Sequence, residues 1–414
     1  MPQDFLDIDA SLTNPEFFAG MDFHRLFAHL RETDPVHWTT GDYARGYWSL
    51  SRYDDCVAVM SDPELFSSAA GTHLPPLGRD LTEKEDRMMG TDAHMLMTDP
   101  PDHGRRRRPI NKHFSVPVVS HLRGMFGQVA SEILDAAEAK NDIDLVEDIA
   151  AQMPVKVVLR LLGVPESDWL KVREMAVRAM HSQDSEFLEE EHDALTAVVA
   201  YVDQVYTYVA QLIRDRRAHP SDDYATIIAQ LRDGDELFTE REAGFMALGF
   251  VLGGLEGTRN ALSVGVMELM RRPDQVRLVM EDPAVAKSAV EEILRWTTPS
   301  KNRLRVATAD TEIRGRKIKK GDWVVAWIMS ANRDSAVFEH PDTFDVTRTP
   351  NKHLSFGHGN HTCLGRAMAR LEMEILVPEI FRRFPQIAPA GGAEWVVSDN
   401  ATGLKRFPVR LTPA

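Results

Sequence analysis

Apolar residues recur along most of the chain at three- and four-residue spacing, which is the period of an amphipathic α-helix. This spacing predicts helices over residues 118–139, 145–162, 188–218, 284–296 and 366–384. Short apolar and aromatic runs bounded by turn-forming residues predict strands over residues 46–50, 305–313, 323–327 and 407–411. Residues 67–90 are rich in Gly, Pro and charge and predict a loop with one short helix at most. The predicted fold class is therefore mainly α with minor β.

The longest predicted helix runs from Thr239 to Arg272 and is apolar on nearly all sides. Thr239 and Glu242 have the spacing of a capping box, in which each side chain satisfies a backbone N–H of the first turn. Pro273 marks the end of this helix. A helix of this length spans about 50 Å. Its apolar circumference predicts that it is buried along much of its length.

Composition narrows the class of protein. The chain has 414 residues, of which 43% are hydrophobic, and no linker-like or repeated segment, so we expect one domain over residues 1–414. It shows neither a secretory signal nor an apolar stretch of about 20 residues, which predicts a cytoplasmic protein without membrane contact. A net charge of −15 argues against nucleic-acid binding. Two cysteines, Cys56 and Cys363, exclude a disulfide scaffold and a cysteine-rich metal cluster.

The strongest local signal is the loop from Phe356 to Gly365, which contains three glycines and Cys363 directly before a predicted helix. Free N–H groups at a helix N-terminus favour a thiolate, which can act as a nucleophile, a redox thiol or a metal ligand. A lone cysteine is otherwise a small core residue, and this is the interpretation for Cys56 within the helical run 54–60. Cysteine hydrolysis would need a remote histidine and an orienting partner, and the adjacent His361 and Asn360 have the wrong spacing.

This loop matches Phe-x-x-Gly-x-x-x-Cys-x-Gly, the heme-binding loop of the cytochrome P-450 family, at every fixed position. The resemblance implies a single-domain fold shaped as a triangular prism, with heme b between a long distal helix and the cysteine loop. It makes Cys363 the thiolate ligand of the iron and places Phe356, Gly357 and Gly365 at the cofactor. Thiolate ligation favours cleavage of the O–O bond.

Further motifs resemble the same family in the same order. Glu292 and Arg295 resemble its buried Glu-x-x-Arg pair, and Arg348 resembles the arginine that joins it in building the heme cradle. Four residues resemble its donors to the heme propionates: His103, Arg107, Arg305 and His361. Two buried carboxylates need such cationic or hydrogen-bonding partners. For Arg106 and Arg108 we expect a solvated basic turn instead.

The distal-helix motif departs from the family pattern. Gly253 and Gly254 are expected to let dioxygen and substrate approach the backbone, and Glu256 matches the acid that relays protons. Gly257 stands where the family usually has Thr, and Thr258 follows about 100° further round the helix. Either Thr258 or a water molecule beside Gly257 is expected to replace the missing hydroxyl, or else proton delivery weakens and turnover releases peroxide.

The resemblance implies a monooxygenase that acts on a hydrophobic small molecule, with a lean towards terpenoid, steroid or branched-lipid substrates. Pocket contacts are expected in residues 72–97, 246–252, 300–304 and 401–404, including Leu96, Met97, Phe250, Leu252 and Leu404. Electrons would come from a separate ferredoxin and its reductase, and the ferredoxin would dock on a basic face formed by Arg105–Arg108, Lys112, Arg366 and Arg370. The alternatives are a peroxygenase on the same scaffold, which usually carries Arg-Pro in the distal helix, and a non-catalytic heme sensor.

Overall fold

The structure is a computed structural model, and it describes residues 7–40, 45–74, 81–140, 142–187 and 194–412. The helices in these ranges are α1 Ile8–Leu12, α2 His24–Thr33, α3 Tyr53–Ser61, α4 Glu83–Met89, α5 Asp102–Asn111, α6 Val116–Ser120, α7 Arg123–Glu138, α8 Gln152–Leu162, α9 Trp169–Met180, α10 Ala194–Ala218, α11 Tyr224–Ala229, α12 Glu240–Met270, α13 Pro273–Glu281, α14 Pro283–Thr297, α15 Ile328–Ala331 and α16 Arg366–Arg383. Single 3₁₀ turns cover Pro15–Phe18, Met95–Met97, Lys112–Phe114, Glu166–Asp168 and Gly359–His361, and a π-turn covers Leu145–Ala150.

The strands are short and peripheral to the helices. They are β1 Val36–Thr39, β2 Tyr47–Leu50, β3 Phe66–Ser67, β4 Asp142–Asp144, β5 Arg232–Asp233, β6 Glu236–Leu237, β7 Asn302–Ala307, β8 Thr311–Ile313, β9 Arg316–Ile318, β10 Trp323–Trp327, β11 Ala388–Pro389, β12 Glu394–Trp395, β13 Leu404–Arg406 and β14 Pro408–Arg410. The largest sheet has the order β1-β2-β10-β7-β3, in which only the β2–β10 pair is parallel. The prediction of a mainly α fold with minor β is confirmed.

Helix α12 lies at the centre of the main hydrophobic core and packs against α8, α10, α14 and α16. The predicted capping box is present: the Glu242 N–H donates to Thr239 Oγ1 at 3.2 Å, and the Thr239 N–H donates to Glu242 Oε2 at 3.0 Å. Apolar side chains on all sides of α12 are buried, as its sequence predicts. Packing on all sides therefore fixes the positions of the residues in the middle turns of α12.

Two predicted elements differ in detail. The helix predicted over residues 118–139 is two helices, because Leu122 closes a tight turn on Val119 between α6 and α7. The strand predicted over residues 305–313 is two strands, because the chain bends at residues 308–309 between β7 and β8; the Asp310 carboxylate there accepts the Lys320 N–H at 2.9 Å. Residues 188–193 of a predicted helix and 75–80 of the predicted loop lie outside the described residues.

In the part of the chain that the structure describes, no helix combines the length and the apolar character that crossing a bilayer requires.

Candidate active site

Cys363 lies in a tight loop at the end of the irregular segment between α15 and α16. Its N–H donates to the Phe356 carbonyl at 2.8 Å, which closes the loop from one end of the motif to the other. Gly357 and Gly359 both have left-handed backbone conformations, with φ of 71° and 67°. A Cβ at Gly359 would also collide with the Met60 carbonyl of α3, so the loop requires glycine there. Cys56 is fully buried in a core cluster, as predicted for a packing residue.

The Cys363 residue is half-buried, and the charges of Arg303, Arg107 and Arg366 act on its thiol. Burial raises the pKa of the Cys363 thiol, whereas the Gly365 N–H and the charges of Arg303 and Arg107 act in the opposite direction. Burial is the larger effect, so the helix N-terminus alone does not make the thiolate that the sequence led us to expect. A bound metal cation is the agent that deprotonates a coordinating thiol outright.

Two histidines lie together beside this loop with unused ring nitrogens. The ring centroids of His103, on α5, and His361 are 4.2 Å apart. Among the described residues, His103 Nε2 and at least one ring nitrogen of His361 are buried without a hydrogen-bond partner, since the backbone of Thr98 bonds no more than one nitrogen of the His361 ring. Burial and neighbouring positive charges lower the pKa of His103 to about 4 and that of His361 to about 3, so both rings are neutral. Buried polar atoms without a partner cost free energy, and a carboxylate ligand placed here would satisfy them.

Two arginines lie at the same place, of which Arg305 is buried and Arg107 half-buried. Arg305, on β7, is 2% exposed and donates to the Leu304 carbonyl at 2.7 Å. Arg107 donates to the Thr362 carbonyl and, at 3.2 Å, to Asn111 Oδ1. Neither guanidinium is within ion-pair distance of a carboxylate in the described ranges. Burial lowers the pKa of Arg305 to about 10 and lowers that of Arg107, which means that both cations lack the solvation they would have at the surface.

The middle of α12 is open on one face and packed on the next. Gly253 is exposed, and a Cβ at Gly253 or Gly257 would meet nothing within 4 Å. Gly254 differs from the prediction, because a Cβ there would lie 2.8 Å from Val158 Cγ2 of α8. Gly254 therefore serves the close packing of two helices and opens no space. Thr258 is 6% exposed and shares the helix face of Gly254, one turn away.

Glu256 is buried and surrounded by basic groups. It is 4% exposed, and its Oε2 lies 2.9 Å from Nε2 of His181, the residue that caps α9, and 3.4 Å from Nη1 of Arg259. Burial alone would raise the pKa of Glu256, but His181 and Arg259 lower it to about 2. This carboxylate is thus an ionised group inside the protein rather than a solvated acid on a helix surface.

The predicted ion pair of α14 is present and fully buried. Both oxygens of Glu292 accept from Arg295 at 2.8 Å, and Arg348 Nε donates to Glu292 Oε2 at 3.1 Å. Asn351 and the Asp345 N–H complete the carboxylate's set of donors, at 3.0 and 2.9 Å. Arg295 also bonds the carbonyls of residues 332, 341 and 343, so the network fixes the irregular segment that leads to the cysteine loop.

Comparison with known proteins identifies the family. The cytochrome P-450 family model matches residues 29–404. The mycinamicin IV hydroxylase/epoxidase of Micromonospora griseorubida is 34% identical over 381 residues, which cover 90% of this chain and 92% of the relative. A steroid C26-monooxygenase of Rhodococcus jostii is 31% identical and covers 96% of this chain and 83% of its own length. A Mycobacterium marinum cytochrome P-450 solved with pseudoionone has a TM-score of 0.88 at 25% identity and covers 99% of both chains.

The chain belongs to the cytochrome P-450 family. It is accordingly a cytochrome P-450 monooxygenase, and its cofactor is heme b.

The residues of this cytochrome P-450 fit the heme. The cofactor needs a sulfur ligand and partners for two propionates, and Cys363 lies close to the unsatisfied nitrogens of His103 and His361 and the unpaired cations of Arg107 and Arg305. A neutral histidine still donates one N–H, which suits a carboxylate acceptor. Within the described residues no cluster of three or more His, Cys, Asp or Glu side chains could hold a metal ion.

The predicted basic face is smaller than the sequence suggested. Arg106 is buried and bonds Glu242 at 3.2 Å, so it is not the solvated residue that we expected, and Arg105 pairs with the same carboxylate. Arg370 forms two bonds to Glu291, at 2.6 and 2.8 Å. Of the cations that the sequence predicted for this face, three are exposed: Arg108, Lys112 and Arg366.

The predicted pocket residues divide into two groups. Leu96 and Leu252 are half-buried, and Met97 is buried beside Gly71. The Phe250 ring instead contacts Phe114 and Tyr224, at 5.5 and 5.4 Å between centroids. Leu404 is fully buried in the main core, which gives no support to its predicted role as a pocket residue.

Sequence reasoning missed two groups near the site. His94 lies against Gly249 of α12, and its Nδ1 accepts the Leu96 N–H at 3.1 Å. Arg303 is on β7, two residues from Arg305. Strand alternation was the signal for Arg303, since residues two apart point to the same face of a sheet. No comparable signal was present for His94, a lone histidine in an irregular segment.

Proposed function

We propose that this cytochrome P-450, folded as one cytoplasmic domain over residues 1–414, inserts one oxygen atom of O2 into a hydrophobic small molecule. Hydroxylation of a C–H bond and epoxidation are the two forms of this reaction that fit. Terpenoids, steroids and branched lipids are the favoured substrate classes, and a relative named as a steroid monooxygenase supports this choice. The electrons come from a separate ferredoxin and its reductase.

One observation carries the proposal of oxygen chemistry. The buried, ionised Glu256 lies beside Gly253 and Gly257, whose helix face is open. An ionised acid in the interior costs free energy unless it has partners, and His181 and Arg259 supply them. A non-catalytic heme sensor has no need of a buried proton-transfer group at an open helix face. A peroxygenase is also less favoured, because α12 has Glu256-Gly257 where such relatives carry Arg-Pro.

The protein's own residues divide the work. Cys363 ligates the iron, Phe356, Gly357 and Gly365 shape the loop around it, and four donors hold the propionates: His103, Arg107, Arg305 and His361. The heme supplies the activation of dioxygen when it is bound. Glu256 passes protons towards the open face of α12, and Thr258 or a water molecule at Gly257 completes the path. Leu96, Met97 and Leu252 contact the apolar substrate.

The test compares electron sources in the purified holoprotein. Reduced protein under carbon monoxide should show the absorption band of thiolate-ligated heme, and Cys363→Ala should abolish it. Product formation from a hydrophobic library should require NAD(P)H, a reductase and a ferredoxin. Turnover with hydrogen peroxide and none with the ferredoxin system would replace the proposal with the peroxygenase alternative, and binding of heme without either activity would favour the sensor.

A further inference from the structure

Strand β7 presents two arginines to the cysteine loop. Asn302 and Leu304 are buried on one face of the strand, so Arg303 and Arg305 share the other. The charge of Arg303 interacts with Cys363, and that of Arg305 interacts with His361. Of the two, only Arg305 resembles a propionate donor of the family. Arg303 is therefore a second cation on the same side, without an assigned partner.

Arg303 is held by one of its three nitrogens only. Nη1 donates to the Asn302 carbonyl at 2.7 Å and to Ser300 Oγ, and it lies 2.9 Å from His73 Nε2. Burial and the charges of Arg303 and Arg305 lower the pKa of His73 to about 3, so its ring is neutral and can accept this bond. His73 Nε2 also lies 3.1 Å from Ser300 Oγ. These contacts fix the plane of the guanidinium.

The other edge of the guanidinium is unused. Within the described part of the chain, neither Nε nor Nη2 of Arg303 has a hydrogen-bond partner, and no carboxylate lies within ion-pair distance. These two N–H groups form the fork that binds the two oxygens of a carboxylate in parallel. Two apolar residues belong to the segment that holds His73: Met97 Cε would lie 3.8 Å from a Cβ at Gly71, and Leu74 follows His73 directly.

The heme propionates have enough partners without the unused fork of Arg303. Arg107, Arg303 and Arg305 supply three positive charges at this side of the site, whereas heme b brings two propionates. His103 and His361 add neutral donors to the same two carboxylates. The positive charge of Arg303 also lowers the pKa of Arg305, which means that the two cations repel each other. Asp99 and Cys363 offset part of this positive charge, and a further carboxylate would stabilise the unused fork of Arg303.

We propose that Arg303, oriented by Ser300 and His73, binds the carboxylate of the substrate, which is therefore an amphipathic carboxylic acid rather than a neutral hydrocarbon. This inference rests on the proposed monooxygenase function and specifies its substrate class. The carboxylate anchors one end of the molecule at β7, and the apolar remainder extends along Met97 towards the open face of α12. The oxidised carbon is thus remote from the acid group.

The experiment measures binding by the shift of the Soret band in the ferric holoprotein, at a pH where carboxylic acids are ionised. Three matched pairs serve as probes: dodecanoic acid and dodecan-1-ol, geranic acid and geraniol, abietic acid and abietinol. In at least one pair the acid should bind tenfold or more tightly than the alcohol. Arg303→Gln should remove that preference by weakening the acid about tenfold, with the alcohol changed less than twofold. Arg316→Gln, on the hairpin β8–β9, is the control and should change neither.

Heme retention separates the possible sources of the carboxylate. Arg303→Gln should keep the heme content and the carbon monoxide band of the parent, because the cofactor's propionates have other partners. A lower heme content in Arg303→Gln, with an unchanged acid preference in the fraction that retains heme, would make Arg303 a propionate ligand and overturn the proposal. Equal binding of acid and alcohol in all three pairs would also overturn it. Either result with intact ferredoxin-driven turnover would leave the monooxygenase function standing.

Discussion

Nε2 of His181 lies 2.9 Å from Oε2 of Glu256, so the acid of the distal helix contacts the residue that caps α9. Arg259 reaches the same oxygen at 3.4 Å from the next turn of α12. The two basic neighbours outweigh the effect of burial and lower the pKa of Glu256 to about 2, so this carboxyl group is ionised in the interior. Histidine is the side chain best suited to gaining and losing protons near neutral pH. The pair therefore links the open face of α12 to a group on a different helix.

Replacing Glu256 with Gln should impair proton delivery. A positioned acid–base group contributes about 10²-fold or more to a proton-transfer step, so kcat with the ferredoxin system should fall by about that factor. Substrate affinity from the Soret shift should change little. Glu240→Gln removes an exposed acid from the first turn of the same helix and is the matched control. Equal turnover by the two variants would show that Glu256 has no part in the relay.

The same substitution has a consequence for acid stability. Because the pKa of Glu256 is lowered from its usual 4.5 to about 2, its charge stabilises the folded protein above pH 4.5, and this contribution is lost as the pH falls towards 2. The parent protein should therefore lose more unfolding free energy than Glu256→Gln over this interval. Urea unfolding at a series of pH values measures the difference. Parallel pH profiles for the two proteins would contradict the low pKa.

Gly257→Thr should increase the coupling of electron use to product. A Cβ at Gly257 meets nothing within 4 Å, so the threonine fits the open face without disturbing the packing of α12. Its hydroxyl would restore the hydrogen-bonding group that the family usually has there. The ratio of product to NAD(P)H consumed should rise and peroxide release should fall. Gly257→Val has nearly the same shape without the hydroxyl, and an equal gain in that variant would attribute the effect to volume alone.

The sequence predicted those parts of the site whose determinants are local. The cysteine loop and the capping box of α12 are short patterns in which each residue type follows from backbone chemistry. The partner of Glu256 could not be found in this way, because His181 is 75 positions away and a lone histidine has no pattern. The role of Gly254 was misjudged for a similar reason: whether a glycine opens space or admits a neighbouring helix depends on Val158 of α8. Pairings between distant segments are decided by tertiary packing.

Breaking the network of α14 should destabilise the whole protein. Glu292→Gln leaves Arg295 buried without its carboxylate, and loss of one partner of a buried ion pair costs about 3–5 kcal/mol. The urea midpoint of the holoprotein should fall accordingly, together with heme retention. Asp142→Asn removes an ion pair with Arg410 that is largely exposed on both sides and should cost about 1 kcal/mol or less. Similar midpoints for the two variants would contradict the structural role of the network.

Electron transfer should depend on the three exposed cations beside the cysteine loop. Arg108 is the α5 residue after Arg107, and Lys112 directly follows α5. Arg366 begins α16 three residues after Cys363. Exposed charges steer an acidic partner at low salt and are screened at high salt. The rate of reduction by ferredoxin should thus fall with ionic strength in the parent.

The triple variant Arg108→Glu, Lys112→Glu and Arg366→Glu should be reduced slowly at low salt, and its reduction rate should depend little on ionic strength.

Because Arg105, Arg106 and Arg370 are already paired with Glu242 and Glu291, substitutions that break those pairs test stability rather than docking. Lys317→Glu, on the exposed hairpin β8–β9, changes the net charge of the protein without changing this face and is the control for each charge reversal. Stopped-flow reduction measures all of these rates. A parent protein whose rate is the same at low and high salt would place the ferredoxin site elsewhere.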